Sequence, residues 1–185
     1  MPRCLDRRLL TPSMPTRKRI AVMRAIKRFA FVILLSIAGV GCDHITKTLA
    51  VSVLPADHPL SYLGDTIRLQ LVHSRGAFLS MGAFLPERWR FYVFGIGSSC
   101  FLLVLLIYGL FAKGRSQSRL WGIALIFAGG AGNLLDRFFH DGIVVDFINI
   151  GIGPVRTGIF NVADVAITAG ACIFFWAAFR QGQKG

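Results

Sequence analysis

The chain has 185 residues, 54% of them hydrophobic and only 16% charged, with sixteen phenylalanines. That balance argues against an ordinary soluble domain and makes a bilayer the expected solvent. The formal charge of +12 does not point to a nucleic-acid binder, because the basic residues are segregated along the chain rather than scattered over a polar surface. Cys4, Cys42, Cys100 and Cys172 lie far apart without a CxxC pair, so neither a disulfide framework nor a zinc knuckle follows.

Residues 1–28 hold nine Lys and Arg against Asp6 alone, with Pro2, Pro12 and Pro15, and read as a basic, solvated tail. The first membrane helix starts at residue 29, is uncharged to Cys42 and keeps helical spacing to about Leu54. Asp43 and Lys47 are four apart within it, so they share a face and can pair. Lys27-Arg28, the apolar run and Gly39-Val-Gly-Cys42 look like a signal peptide ending in a lipidated cysteine. Gly39 stands where such sites carry a branched or Leu side chain, and three spans follow, so the segment is kept as a helix.

The outer segment from about residue 55 to 90 contains the alternating run Ile67-Arg-Leu-Gln-Leu-Val72, which predicts a small sheet on the membrane. Three further stretches, 91–112 and 120–135 without a charge and 157–179 with Asp164 alone, give the remaining helices. The second is short and glycine-rich at its far end, which suits close helix packing. The fold class expected is therefore an all-α membrane protein with four transmembrane helices and a small extracytoplasmic β-prone segment between helices 1 and 2. Its expected organisation is a tail (1–28), one membrane domain (29–180) and a short cytoplasmic tail (181–185).

Fourteen of the twenty-one Lys and Arg fall in the N-terminal segment, the 113–119 loop and the C-terminal tail, whereas all acids but Asp6 fall on the other side. Positive loops stay inside, so both termini are expected in the cytoplasm. The acids that need explaining are Asp136, Asp141, Asp146 and Asp164. Asp136 follows Gly129-Gly-Ala-Gly-Asn133 and precedes Arg137, an arrangement in which Arg neutralises the carboxylate and Asn bonds backbone freed by the glycines. Asp146 sits in the apolar, β-branched run 142–148, and Asp164 in Phe160-Asn-Val-Ala-Asp164 at the start of the last helix. If these two meet, repulsion and desolvation would leave them sharing a proton, as a water-activating aspartic protease requires.

Four blocks, in order, resemble the signal peptidase II family of lipoprotein signal peptidases. They are Asp43-His-Ile-Thr-Lys47; Arg75-Gly-Ala-Phe78; Gly129 through Arg137 with Val-Val-Asp146-Phe; and Phe-Asn161-Val-Ala-Asp164. The resemblance implies a metal-free aspartic endopeptidase, without cofactor, whose dyad is Asp146 and Asp164. It implies cleavage of bacterial prolipoproteins just before the diacylglyceryl-modified cysteine. By the same resemblance Asp43, Lys47, Gly76, Gly129, Asn133, Asp136, Arg137, Asn161 and Ala163 would bind substrate or support the site. The expected setting is the bacterial inner membrane, with the site at its outer face, a lipoprotein precursor and membrane lipid as partners, and the protein a monomer. One departure is Ser74, two residues before Gly76, where the family commonly has Asn; a hydroxyl replaces an amide's donor and acceptor.

Other chemistries fit less well. His44, His58, His73 and His140 lie on the outer side, but without HExxH or any paired metal-ligand spacing. Ser98, Ser99 and Cys100 lie in an apolar span with no His or Lys nearby in sequence. Trp89, Trp121 and Trp176 read as interface anchors. A non-enzymatic channel, carrier or assembly factor would need polar groups through the bilayer, which 91–112 and 120–135 hardly offer.

Overall fold

The computed structural model describes residues 16–76, 85–111 and 117–183. Ala77 and Phe78 of the second block, most of the N-terminal tail, Lys113, Arg115 and Lys184 lie outside the described residues. The element order is α1 (Thr16–Val53), β1 (Leu60–Tyr62), β2 (Ile67–Ser74), α2 (Glu87–Arg90), a π-helical stretch (Phe91–Gly97), α3 (Ser98–Phe111), α4 (Gln117–Phe139), β3 (Val144–Ile152), β4 (Val155–Arg156) and α5 (Val162–Gly182). Because α2, the π stretch and α3 run on without a break, the described chain forms four helical rods.

Two of them, Arg88–Phe111 and Val162–Gly182, are long and apolar enough to cross a membrane by length and composition. Large apolar side chains point outward along every rod, among them Leu34 and Ile37 on α1, Phe101 and Val104 on α3, Trp121 on α4, and Phe175 and Phe179 on α5. Such a surface is an association hazard in water and the normal exterior of a protein in hydrocarbon.

α4 is the central rod, packed most extensively on α5 and next on α1. Missing side chains permit this. A Cβ on Gly129 would lie 2.3 Å from the Ala163 carbonyl oxygen, one on Gly122 2.8 Å from that of Gly170, and one on Gly170 2.7 Å from that of Gly122. Backbone cannot yield as a side chain tip can, so Gly129→Val is expected to destabilise by at least about 2 kcal/mol. Gly41 has nothing within 4 Å of its would-be Cβ, and Gly41→Ala is expected to be neutral or to stabilise by about 0.5 kcal/mol. Thermal unfolding of both variants in detergent checks the contrast.

Three sequence expectations change. The class is not all-α, because the outer segments form a four-stranded antiparallel sheet in the order β1-β2-β3-β4. The run 67–72 supplies β2 as expected, but β3 and β4 come from the loop before the last helix, where 143–152 is itself β-branched and alternating. α5 begins at Val162 rather than residue 157, because Asn161 caps it and Phe160 is bridged to Ile148 of β3. α1 begins upstream of residue 29, its 38 residues reaching about 57 Å; Arg, Lys, Ile, Ala and Met are adequate helix formers, so charge alone does not stop the helix.

Candidate active site

The site lies where β3, the start of α5 and the outer ends of α1 and α4 converge. β3 is fixed by β2, Val72 facing Asp146 across the ladder. It is fixed on the other side by Phe160, whose carbonyl accepts from the amides of Phe147 (3.1 Å) and Ile148 (2.9 Å). That clasp delivers the next residue, Asn161, fully buried, beside Asp146.

Asn161 joins the two acids. Its Nδ2 donates to Asp146 Oδ1 at 2.7 Å, and its Oδ1 accepts from the Asp164 amide at 3.0 Å. Its own amide donates to Asp164 Oδ2 at 3.2 Å, completing a reciprocal capping box at the start of α5. Asp164 Oδ1 accepts from Asn133 Nδ2 at 2.8 Å. Both oxygens of Asp164 are thus engaged, while among the described residues Asp146 Oδ2 accepts no hydrogen bond.

Asp146 is 8% exposed. Burial, reinforced by the nearby charge of Asp164, pushes its carboxyl up to about 7; the Asn161 bond and the charges of Lys47 and Arg137 pull the other way. A carboxyl at that position holds a proton near neutrality beside a second carboxyl.

Behind this pair lies a buried ionic cluster. Lys47 Nζ donates to Asp43 Oδ2, to Asp136 Oδ2 at 2.6 Å and to Asn133 Oδ1 at 3.2 Å. Asp43 Oδ1 accepts from the Ala163 amide at 3.0 Å, so a residue of α1 caps a free N–H in the first turn of α5. The Asp43–Lys47 pairing is the one the spacing gives. The expectation for Asp136 is corrected: its partner is Lys47, not Arg137. The expectation for Asn133 is corrected as well, since its side chain bonds Asp164, Lys47 and Asn161 rather than freed backbone. The helix stays closed through the glycines, so there is no freed backbone to satisfy.

Arg137 turns toward the sheet instead. It donates to the carbonyls of Asn133 and Gly76, each at 3.0 Å, and its guanidinium lies over the Phe94 ring at 5.9 Å. Gly76 is thereby tied to α4, and Phe94 is a neighbour that sequence spacing gave no sign of. A cavity of about 310 Å³ opens there, lined by Arg75, Arg90, Phe91, Phe94 and Arg137 among others. Gly129 and Ala163 make the close α4–α5 contact just below the site and touch neither Asp146 nor Asp164 through a side-chain hydrogen bond. Ser74 is buried at the end of β2, opposite Val144. Among the described residues the histidines do not gather with acids into a group of three or more metal-ligand side chains.

Comparison with known proteins gives a consistent answer. The family model described as Signal peptidase (SPase) II matches residues 35–180. A lipoprotein signal peptidase of Mycobacterium avium (strain 104) is 32% identical over 170 residues, covering 88% of this chain and 86% of the relative. One from Rhodococcus jostii (strain RHA1) is 35% identical over 152 residues, covering 77% and 70%. Among solved structures, a bacterial membrane enzyme determined by the in meso method at 2.3 Å superposes with a TM-score of 0.71 at 25% identity, covering 84% of this chain and 91% of the other. The family match runs from within α1 into the last turn of α5 and takes in Asp43, Lys47, Asn133, Asp136, Arg137, Asp146, Asn161 and Asp164: the chain belongs to the signal peptidase II family.

Proposed function

We propose that the protein is a membrane-embedded aspartic endopeptidase that removes the signal peptide from diacylglyceryl-modified prolipoproteins, cutting before the lipidated cysteine. The observation that carries this reading is Asn161, which holds the Asp146 and Asp164 carboxyls on one amide side chain and one capping box. Asp146 keeps the shared proton, and Asp164, whose two oxygens each accept an N–H, is the ionised partner. Asp164 takes a proton from water as that water attacks the scissile carbonyl, and Asp146 donates its proton to the carbonyl oxygen. Asp43, Lys47, Asn133 and Asp136 position Asp164; Arg137, held by the Gly76 carbonyl, borders the cavity in which a substrate chain has room.

The same reading has four spans, formed by α1, α2 through α3, α4 and α5, in the bacterial inner membrane, the enzyme acting as a monomer on a substrate anchored beside it. Residues 1–28 and 181–185 flank the membrane domain as cytoplasmic tails, which the excess of Lys and Arg at both ends and in the 113–119 loop supports. The remaining outer charge is balanced, which suits a site facing away from the cytoplasm.

The test is cleavage of a diacylglyceryl-modified prolipoprotein by the purified protein in detergent with a chelator present, the cut located by mass spectrometry. Cleavage before the modified cysteine is expected, and a chelator-sensitive reaction or a cut elsewhere would sink the reading. The pH profile adds a signed expectation. Below about pH 7 Asp146 keeps its proton; above it the donor is lost, so kcat should fall with a limb near pH 7. The folded chain binds this proton more tightly than the unfolded chain, whose carboxyl titrates near 3.8. Asp146 therefore weakens the fold as pH rises through that window. A profile still rising beyond pH 8 would contradict the assignment.

A further inference from the structure

The two hairpins of the sheet turn at the same end, because Ile67 at the start of β2 pairs with Ile150 near the end of β3. Large apolar side chains stand out there: Leu63 is 76% exposed, Ile152 80% and Val155 78%, with Tyr62 half exposed beside them. Leu63, Gly64 and Asp65 all have left-handed φ, at 53°, 60° and 70°. A leucine in that region costs about 1 kcal/mol or more, so the turn presents Leu63 against its own preference. At the second turn Gly153 is left-handed, and a Cβ on Gly151 would lie 2.5 Å from the Val155 carbonyl oxygen, so β4 folds tightly onto β3.

The polar groups behind this tip close on one another. Asp65 accepts from Ser61 Oγ and Arg68 Nε, both at 2.6 Å, and Arg156 Nη1 donates to the Asp65 carbonyl at 2.7 Å. The hydrogen bonds of Arg68 hold the Asp65 carboxyl well below the usual carboxylate range. Between the hairpins, the Gly151 amide donates to Thr66 O at 2.9 Å and the Thr157 amide to Ile150 O at 2.7 Å. The charges are paired with one another, Arg156 largely buried and Asp65 and Arg68 partly exposed, while the apolar side chains stand out further.

We propose that this tip is a second membrane contact of the protein, in which Tyr62, Leu63, Ile152 and Val155 insert among the headgroups of the outer leaflet and rest on the acyl boundary. The proposal rests on the four-span reading. Three observations favour lipid as the occupant. Short connections from Val53 to Leu60, Phe139 to Val144 and Arg156 to Val162 keep the sheet close to the helix ends. Exposed apolar side chains also stand on the last turn of α1, at Val51 and Val53, with the exposed Asp57 and His58 between them and β1. Arg68, 36% exposed, offers phosphate a cation at the tip, whereas Arg156 is largely buried against Asp65 and Asn149. Four side chains also fall far short of the roughly 1,000 Å² a specific protein interface needs, whereas interfacial insertion grows with just such small apolar areas. The contact fixes the height of β3, and with it Asp146, above the bilayer.

Leu63→Trp tests this in the full chain with Trp89, Trp121 and Trp176 replaced by Phe, reconstituted in phosphatidylcholine vesicles brominated on one acyl chain. Emission is expected to drop at least about twofold against unbrominated vesicles, with little quenching by aqueous iodide. Iodide quenching without bromine quenching overturns the proposal. A benzophenone side chain at Val155 in otherwise unchanged protein gives a second measurement that does not depend on the tryptophan-free background. A phospholipid adduct after photolysis is expected; no adduct, or one only to substrate peptide or a second copy, overturns it. Neither readout involves turnover, so failure here is distinct from failure of the peptidase reading.

Discussion

Asparagine in place of either Asp146 or Asp164 is expected to lower kcat by about 10³-fold, with the cut site unchanged in whatever cleavage remains. The two variants should differ in stability, and that difference separates a chemical role from a structural one. Asp146→Asn keeps an oxygen to accept from Asn161 Nδ2 and removes a buried group that burial and Asp164 disfavour as an anion. It should leave the unfolding temperature unchanged or raise it above neutral pH. Asp164→Asn keeps an oxygen for Asn133 Nδ2 but turns its NH₂ toward the Asn161 amide, losing half of the capping box, for about 1 kcal/mol. Rates and unfolding temperatures of the two proteins, taken together, check this. A full-rate Asp146→Asn enzyme would remove Asp146 from the chemistry whatever the fold does.

Much of this arrangement was legible in the residues, because membrane helices are written in long uncharged runs and the acids stand out against them. The Asp43–Lys47 pair follows from i,i+4 spacing, and it is the pair that forms. Asp146 and Asp164 were singled out by their apolar surroundings, and the fold brings both to Asn161. What was not legible is whatever depends on contacts between distant segments. The pairing of Asp136 with Lys47 spans 89 residues, and that of the Ala163 amide with Asp43 spans 120, so no local pattern carries them. The β3–β4 hairpin is a different failure. The run 143–152 is β-branched like 67–72, but it lies between helices and carries the buried acid Asp146, which local strand pattern does not account for. The start of α5 was missed by five residues because 157–160 is apolar enough to join the span, while the true boundary is set by the Asn161 cap.

Lys47→Met is expected to be the most damaging change outside the two acids, costing about 3–5 kcal/mol of stability and at least about 100-fold in kcat of the protein that still folds. Lys47 is 4% exposed and is the cation between Asp43 and Asp136; without it two buried carboxylates face each other unpaired. The effect travels to the site by two routes. Asn133 loses one of the two donors to its Oδ1, keeping only Asn161 Nδ2, and this loosens the amide that bonds Asp164 Oδ1. Asp43, no longer held by Lys47, loosens its hold on the Ala163 amide and so on the first turn of α5 that carries Asp164. Asp43→Asn separates the routes, because Asn keeps an oxygen for the Ala163 amide while giving up the charge opposite Lys47. It should therefore retain more rate than Asp43→Leu, which loses both. Equal rates for the Asn and Leu variants would show that the cap across α1 and α5 contributes nothing to catalysis, leaving the cluster as packing alone.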